Sequence, residues 1–237
     1  MPSLLDEKEV FAVNDDLDIQ VHKVGKSKIL CIDNFYKNPD KVRELAQTIP
    51  STRYPLLCGG MPGSRIKVEY DLSILAPVFI DLLRENYRSK VRRVSNYTIE
   101  NAVEKLEFVV NVTQSKDLDT CSGKVPHVDA ELDLLFASTV YLNTPEECAG
   151  GTSFYTLLGQ QEVGVGDISR WFSIEDSPLE LEYITDTVDG WEMIHLEEMK
   201  YNRFILYPAN ILHSGYIKPG MFTGDVYRLV QMMFLLI

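Results

Sequence analysis

Leu106-Glu-Phe-Val-Val-Asn-Val-Thr113 is the stretch that decides the fold, because the patterning of the sequence changes there from helical to strand-like. The stretch is rich in Val and Phe, which predicts a β-strand. Gly150-Gly151 and Gly164-Val-Gly166 are predicted to be turns, since glycines interrupt the apolar runs there. Four further apolar runs predict strands: Leu134–Leu142, Thr152–Tyr155, Arg203–Tyr207 and Tyr227–Leu236.

The part of the chain before this stretch combines a strand with two helices. Lys28–Ile32 is a short apolar run that predicts a strand. Asn38-Pro39-Asp40 predicts the start of a helix that ends at Pro50, because proline suits the first turn of a helix and breaks its interior. Leu72–Val91 carries apolar residues at helical spacing and predicts a second, longer helix.

Two segments lack a clear period. Thr52–Arg65 contains several prolines and glycines, which predicts a loop. Asp167–Thr187 is acidic and is predicted to be an insertion between strands. Loops commonly carry specificity, so each is a candidate lid over a functional site. The lid residues we single out are Tyr54, Met61 and Arg65 in the first segment and Trp171–Thr187 in the second.

Helices followed by several strands predict an α+β fold built around a sheet sandwich or barrel. The 237 residues suit one large domain or two small ones. We expect a single domain, since no internal repeat or linker-like tract divides the sequence. Within it, a mixed part covers about residues 1–105 and a strand-rich part covers about residues 106–237.

The composition excludes several classes of function. The formal net charge is −12, with 35 acidic against 23 basic residues, which argues against a nucleic-acid surface. No segment approaches the roughly 18 to 20 apolar residues of a membrane span, and Met1–Val13 does not resemble a secretory signal. We therefore expect a cytoplasmic protein with free thiols and no cysteine-based zinc site, since no C-x-x-C pair occurs among Cys31, Cys58, Cys121 and Cys148.

The pattern with the most chemical content is His127-Val-Asp129 together with a distant His213. On a strand, residues two apart point to the same face, so the first two side chains can reach one ion. Two imidazoles and one carboxylate are the ligand set of a facial iron(II) site that leaves positions open for other molecules. We therefore predict His127, Asp129 and His213 as metal ligands.

Further motifs accompany this triad. Thr139-Val-Tyr141-Leu-Asn143 follows it, Gly150-Gly151 opens a new strand, and Arg228 lies at the start of the last apolar run. This order resembles the prolyl-hydroxylase-like branch of the Fe(II)/2-oxoglutarate-dependent dioxygenases over roughly Leu106–Phe234. The overall character of the sequence suggests a bacterial subgroup of that branch.

The resemblance implies a double-stranded β-helix, a cupin-like jelly-roll, with the N-terminal helices packed on one sheet. It implies that His127, Asp129 and His213 bind Fe(II), and that Arg228 pairs with the distal carboxylate of the cosubstrate 2-oxoglutarate. Tyr141 is expected to donate a hydrogen bond to the same carboxylate. The implied activity is hydroxylation of a small molecule, an amino acid or a peptide, with ascorbate as a candidate stimulant.

The sequence departs from that branch at two points. Val230 stands where many relatives have Ser or Thr, two residues after the arginine. The connection between His213 and Arg228 is also longer than the compact version and contains three glycines. Both departures concern the binding of the cosubstrate more than the metal ligands.

Other interpretations stay open at the level of sequence. A jelly-roll protein can bind a ligand in its cavity without catalytic iron. A zinc-dependent hydrolase could use the same triad, since zinc accepts His and Asp ligands. The triad could also be coincidental. We expect His22 and His195 to be ordinary surface residues, and the sequence predicts no particular oligomeric state.

Overall fold

The protein is described by a computed structural model over residues 6–48, 62–68, 70–87, 106–120, 124–129, 134–160, 182–188 and 190–236. These residues form a sheet-rich α+β fold with two antiparallel sheets and few helices. The helical elements are α1 (Glu7–Val10), α2 (Pro39–Thr48), a 3₁₀ turn (Ser73–Leu75), α3 (Ala76–Asn86) and α4 (Asp117–Thr120). The strands are β1 (Ile19–Val24), β2 (Ser27–Ile32), β3 (Ser64–Val68), β4 (Glu107–Thr113), β5 (Leu134–Tyr141), β6 (Gly151–Leu157), β7 (Trp191–Glu198), β8 (Phe204–Pro208), β9 (His213–Tyr216) and β10 (Arg228–Leu236).

The two longer helices follow the sequence prediction. α2 begins at Pro39, whose fixed φ suits a first helical position. It buries Val42 and Ala46, which lie one turn apart on the same face. α3 has a proline in its first turn and buries Phe79, Leu82 and Leu83 at the spacing of an amphipathic helix. The residues predicted to extend the second helix beyond Tyr87 lie outside the described part of the chain.

The larger sheet has seven strands in the order β1-β2-β8-β5-β10-β4-β3, and the smaller sheet has the order β7-β6-β9. Every pairing in both sheets is antiparallel. The chain passes repeatedly between the sheets, because β5, β8 and β10 of the larger sheet alternate with β6, β7 and β9 of the smaller one. The sheet centres are therefore assembled from strands that are distant in sequence.

Three layers follow from the contacts of the core. One apolar cluster lies between the helices and the larger sheet, and it includes Phe79 of α3 and Phe136 of β5. A second cluster lies between the two sheets, and it includes Phe154 of β6 and Ile205 of β8. The N-terminal helices thus pack on one face of the larger sheet, as predicted, and the other face is turned toward the smaller sheet.

The sequence of strand β10 is apolar at nearly every position, with Gln231 as a polar exception after Arg228. Leu229, Met233 and Leu235 belong to the cluster on the helix side. Val230, Met232 and Phe234 belong to the cluster between the sheets. Since neighbouring residues of a strand point to opposite faces, a strand buried on both faces needs apolar residues at nearly every position.

The predicted strands are confirmed with shifts of a few residues at their ends, but the sequence did not predict β1, β3, β7 and β9. β9 has the sequence His-Ser-Gly-Tyr, which carries no apolar strand signal, and its pairing with β6 holds it in place. The predicted loop Thr52–Arg65 is wrong at its end, because Ser64 and Arg65 belong to β3. Its earlier residues 52–61, including Tyr54 and Met61, lie outside the described residues. The same holds for the predicted turn Gly164-Val-Gly166 and for residues 167–181 of the predicted insertion and lid.

Within the described part of the chain, no helix combines the length and the apolar character that a membrane crossing requires. Cys31 and Cys148 are free thiols. Cys58 and Cys121 lie outside the described residues. Burial, which disfavours the thiolate, raises the pKa of Cys31 to about 12.

Candidate metal centre

The backbone places the three predicted ligands beside one another. The amide N–H of His127 donates to the carbonyl of His213 at 2.9 Å, and the reverse hydrogen bond has the same length. Asp129 donates its N–H to the carbonyl of Ala209 in the turn after β8. The segment with His127 and Asp129 is extended, but it forms an isolated bridge to β9 and not the full strand that the sequence predicted.

The three side chains converge. Nε2 of His213 lies 3.2 Å from Oδ2 of Asp129, and Nε2 of His127 lies 3.5 Å from Oδ1 of the same carboxylate. One ligand atom from each residue lies within 4.8 Å of the others. Two ligand atoms that each lie about 2.1 Å from an ion, at a right angle to one another, are separated by roughly 3 Å. The distances between the imidazole nitrogens and the carboxylate oxygens therefore suit a shared metal.

The protonation states also suit a metal. Burial and the neighbouring His213 lower the pKa of His127, which leaves a neutral imidazole with a free lone pair. Burial acts to raise the pKa of Asp129, but the two imidazoles lower it more, so the carboxylate is ionised. Nδ1 of His213 donates to the carbonyl of Ile211 at 3.0 Å, which fixes the tautomer that presents Nε2 to an ion.

Arg228 lies in the same cavity as the triad. It is the first residue of β10 and is 6% exposed. One guanidinium nitrogen donates to the carbonyl of Gly151 at 3.3 Å, and Nε has no partner. Among the described residues no carboxylate forms an ion pair with this side chain. A buried charge without a counterion is costly, so this position favours a bound anion.

Tyr141 lies beside Arg228 but does not line the cavity. Its hydroxyl donates to Oγ1 of Thr152 at 2.8 Å, and its ring centroid is 6.0 Å from the Arg228 guanidinium. The hydrogen bond from Tyr141 to a cosubstrate therefore stays a prediction. Two side chains that do line the cavity, Thr152 and Tyr207, were not singled out from the sequence. The Tyr207 ring centroid is 4.8 Å from that of His213.

Arg65 is a second arginine in this cavity. It lies on β3 opposite Asn111 of β4, at the edge of the larger sheet. Its Nε is buried without a hydrogen-bond partner. The sequence predicted Arg65 in a lid loop, because its pairing with a distant strand is not visible in the local pattern.

His22 and His195 are not the ordinary surface residues that we predicted. Their side chains are 33% and 25% exposed, and both contact the buried carboxylate of Glu197, at 2.7 Å and 3.2 Å. The three residues form a second group with metal-ligand chemistry. The other oxygen of Glu197 accepts from Arg203 at 2.8 Å and from the Cys31 thiol at 3.3 Å. This carboxylate is therefore fully engaged by protein donors.

Comparison with known protein families places the chain in one of them. The sequence profile of a family of unknown function, DUF6445, matches residues 15–227. The chain belongs to the DUF6445 family. The DUF6445 match includes all three candidate ligands, His127, Asp129 and His213. No curated protein matches the chain.

Proposed function

We propose that this DUF6445 protein is an Fe(II)- and 2-oxoglutarate-dependent oxygenase that hydroxylates a small molecule, an amino acid or a peptide. One observation carries the proposal: a His-Asp-His group with metal-ligand spacing shares a cavity with a buried arginine that has no acidic partner in the described part of the chain. A zinc hydrolase would use the triad but gives Arg228 no role. A dicarboxylic cosubstrate gives both features a role.

The fold part of this proposal is a double-stranded β-helix. The middle of the larger sheet has the order β4-β10-β5-β8, and the smaller sheet β7-β6-β9 is extended by the bridge between His127 and His213. These seven strands and the segment that contains His127 make eight segments. Along the chain, successive segments lie in alternate sheets, except β6 and β7, which are consecutive and both lie in the smaller sheet. Such an interleaved antiparallel arrangement supports a jelly-roll.

The donor set fits ferrous iron, which accepts two imidazole nitrogens and one carboxylate oxygen on one face. Iron and the 2-oxo acid, when bound, would supply the oxidising power that inserts oxygen into a C–H bond. His127 and His213 would hold the ion through neutral nitrogens, and Asp129 would offset part of its charge. The hydrogen bond from His213 to Ile211 keeps that imidazole oriented.

The cavity walls have their own roles. The guanidinium of Arg228 would bind the distal carboxylate in a two-point fork, which lysine cannot reproduce. Val230 and Met232 line the cavity beside it and would exclude water. Because Val230 has no hydroxyl, a hydroxyl that donates to the cosubstrate would have to come from another residue that lines the cavity. Thr152 lines the same cavity and is a suitable candidate.

The test is metal and cosubstrate binding by purified protein under anaerobic conditions. Wild-type protein is expected to bind a single Fe(II) per chain, and His213→Ala and Asp129→Ala are expected to lose it. His195→Ala is the matched control, because Glu197 in the second group is already engaged by Arg203, and its iron content should equal that of wild type. Full iron occupancy in both ligand variants would exclude this centre.

Catalysis is tested separately by succinate formation from 2-oxoglutarate with iron and ascorbate. An oxygenase releases succinate, and a substrate increases the rate. A zinc hydrolase or a binding protein releases none above the level of the His213→Ala variant. Iron binding without succinate from any member of a panel of small molecules, amino acids and peptides would favour the binding protein.

A further inference from the structure

We propose that Arg65 binds a carboxylate group of the substrate, so that the substrate is a free amino acid or a peptide that presents its C-terminal carboxylate. This inference rests on the proposed function, because only an enzyme of that kind makes the bound carboxylate part of a substrate. Its basis in the structure is a second guanidinium that faces the metal cavity and has no counterion among the described residues.

Among the residues that the structure describes, none offers an anion to Arg65. The residue lies on an edge strand and lines the cavity together with the triad. Its Nε is buried without a partner, and among the described residues no carboxylate is paired with it. Within the described part of the chain, the acidic side chain that lines the cavity is Asp129, which lies between the two histidines. A guanidinium that faces a cavity in this way is expected to meet an anion from outside.

The charge balance of the cavity indicates a single negative charge. The two guanidiniums and a ferrous ion are positive, and Asp129 and the dianion of 2-oxoglutarate are negative. These groups leave one positive charge uncompensated. One substrate carboxylate inside the cavity would neutralise this charge, and the ammonium group of a free amino acid would have to lie outside the cavity.

Arg65 and Arg228 are anchored far enough apart to serve two ligands. β3 and β10 are separated by one strand, β4, so their axes lie roughly 10 Å apart. The cross-strand partners are also offset, because Arg65 pairs with Asn111 and Arg228 pairs with Thr113. A cosubstrate carboxylate at Arg228 therefore leaves Arg65 available for a different molecule.

Asn111 completes the suggested carboxylate site. It lines the cavity beside Arg65 and is 6% exposed. Its Oδ1 accepts from the Thr113 hydroxyl at 2.7 Å, which orients the amide so that its nitrogen is the free end. That nitrogen has one long contact, 3.5 Å to the carbonyl of Pro62, and retains a donor for a ligand. A guanidinium fork and an amide donor together match the acceptors of a carboxylate.

The experiment measures binding by calorimetry to anaerobic protein loaded with Fe(II) and 2-oxoglutarate. The probes are the standard amino acids, their N-acetyl derivatives and a set of dipeptides, each compared with its C-terminal amide. We expect at least one free acid to bind wild-type protein at least tenfold more tightly than its amide. Arg65→Gln should weaken binding of that acid at least tenfold and abolish the preference for acid over amide.

Two matched variants complete the design. Arg65→Lys keeps the positive charge but loses the two-point geometry of the guanidinium, so it should retain part of the preference for acid over amide. Arg84→Gln removes a positive charge from an exposed position on α3 and should bind like wild type. In all three variants, binding of Fe(II) and 2-oxoglutarate should stay within twofold of wild type, which also shows that they are folded.

Three results would overturn the inference. An unchanged acid-to-amide ratio in Arg65→Gln would mean that Arg65 does not bind the substrate carboxylate. Loss of 2-oxoglutarate affinity in that variant would make Arg65 a second anchor for the cosubstrate. Failure of every free acid to bind wild-type protein would exclude the substrate class. Failure of the proposed function is distinguishable, because wild-type protein would then bind no iron or no 2-oxoglutarate.

Discussion

Arg228 has surroundings that a folded protein rarely tolerates without a ligand. Its guanidinium is buried, its Nε has no partner, and its hydrogen bond to the carbonyl of Gly151 is long, at 3.3 Å. An isolated buried charge lowers the stability of the folded state, and removal of such a charge often raises it. The residue is therefore expected to serve binding at the expense of stability.

The first prediction separates these two effects with Arg228→Met, which keeps an apolar stem of similar length. Affinity for 2-oxoglutarate should fall at least tenfold, because a charge-assisted fork contributes about 1.5–3 kcal/mol. The free energy of unfolding of the metal-free protein should rise by about 1 kcal/mol. Calorimetric titration of the cosubstrate and urea denaturation measure the two quantities.

Iron binding by Arg228→Met is the control, since Arg228 is not a ligand. An affinity for 2-oxoglutarate equal to that of wild type would remove the cosubstrate role from this arginine. A large loss of stability would show that the guanidinium is satisfied in the folded protein.

Single residues differ in how far the sequence could predict them. The sequence predicted the three candidate metal ligands together: His127, Asp129 and His213. Few residue types bind a metal, and the two-residue spacing of His127 and Asp129 is the spacing that a strand needs to direct both side chains to one ion. Arg65 was assigned to a loop, since nothing near it in sequence reveals its pairing with Asn111. The hydroxyl of Tyr141 was expected in the cavity, yet it is bonded to Thr152, and such a rotamer choice depends on tertiary neighbours.

Strand β10 is the element that joins the hydrophobic core to the cavity. On one face, Leu229, Met233 and Leu235 contact the helix layer. On the other face, Arg228, Val230, Met232 and Phe234 are turned toward the space between the sheets. Substitutions on the two faces should therefore separate stability from binding.

The second prediction uses neighbouring methionines on this strand. Met233 is fully buried against the helix layer, so Met233→Ala should lower the free energy of unfolding by about 3 kcal/mol. Binding of 2-oxoglutarate by the folded fraction should be unchanged. Met232→Ala is the matched control, because its side chain lines the cavity and should cost less stability. Urea denaturation ranks the two, and an inverted ranking would contradict the assignment of faces.

The elements were predicted best where apolar runs are continuous. β5, β8 and β10 are buried on both faces and have strong strand signals. β1 is partly exposed and mixes polar with apolar residues, and β9 is short and polar. These two strands exist because a partner strand pairs with them, and a local pattern does not report a partner that is distant in sequence.

At the scale of the whole molecule, a polar network joins the two sheets. Asp33, directly after β2, accepts from Arg203 at 2.7 Å and from Lys200 at 2.7 Å. Arg203, directly before β8, also donates to Glu197 on β7 of the smaller sheet. His22 of β1 and His195 of β7 contact the same Glu197. The network therefore ties the edge of the larger sheet to the smaller sheet.

The third prediction concerns the pH dependence of this network. The hydrogen bond from Arg203, followed by that from Lys200, lowers the pKa of Asp33 to about 2 although burial opposes the shift. A lowered pKa in the folded state adds stability above the unfolded value of about 3.9, and this stability is lost as the pH falls toward 2. Asp33→Asn should lower the free energy of unfolding by roughly 1 kcal/mol near pH 7, with solvent screening taken into account.

Urea denaturation of wild type and Asp33→Asn between about pH 7 and pH 3 provides the measurement. The difference between the two proteins should be constant above about pH 5 and should shrink below about pH 4. A difference that grows on acidification would assign the stabilisation to a group whose pKa is raised. Lys37→Met is a suitable control, because its ion pair with Asp15 is exposed and should contribute little.

The paired backbone hydrogen bonds between His127 and His213 have a thermodynamic consequence. The spacing of these two imidazoles is set by peptide groups, whose hydrogen bonds join the segments independently of the side chains that would bind an ion. In small zinc domains, by contrast, folding is coupled to metal binding, and the domain is unfolded without its ion. Here a chelator should strip the ion and leave a native scaffold, so reloading should be rapid and should need no refolding.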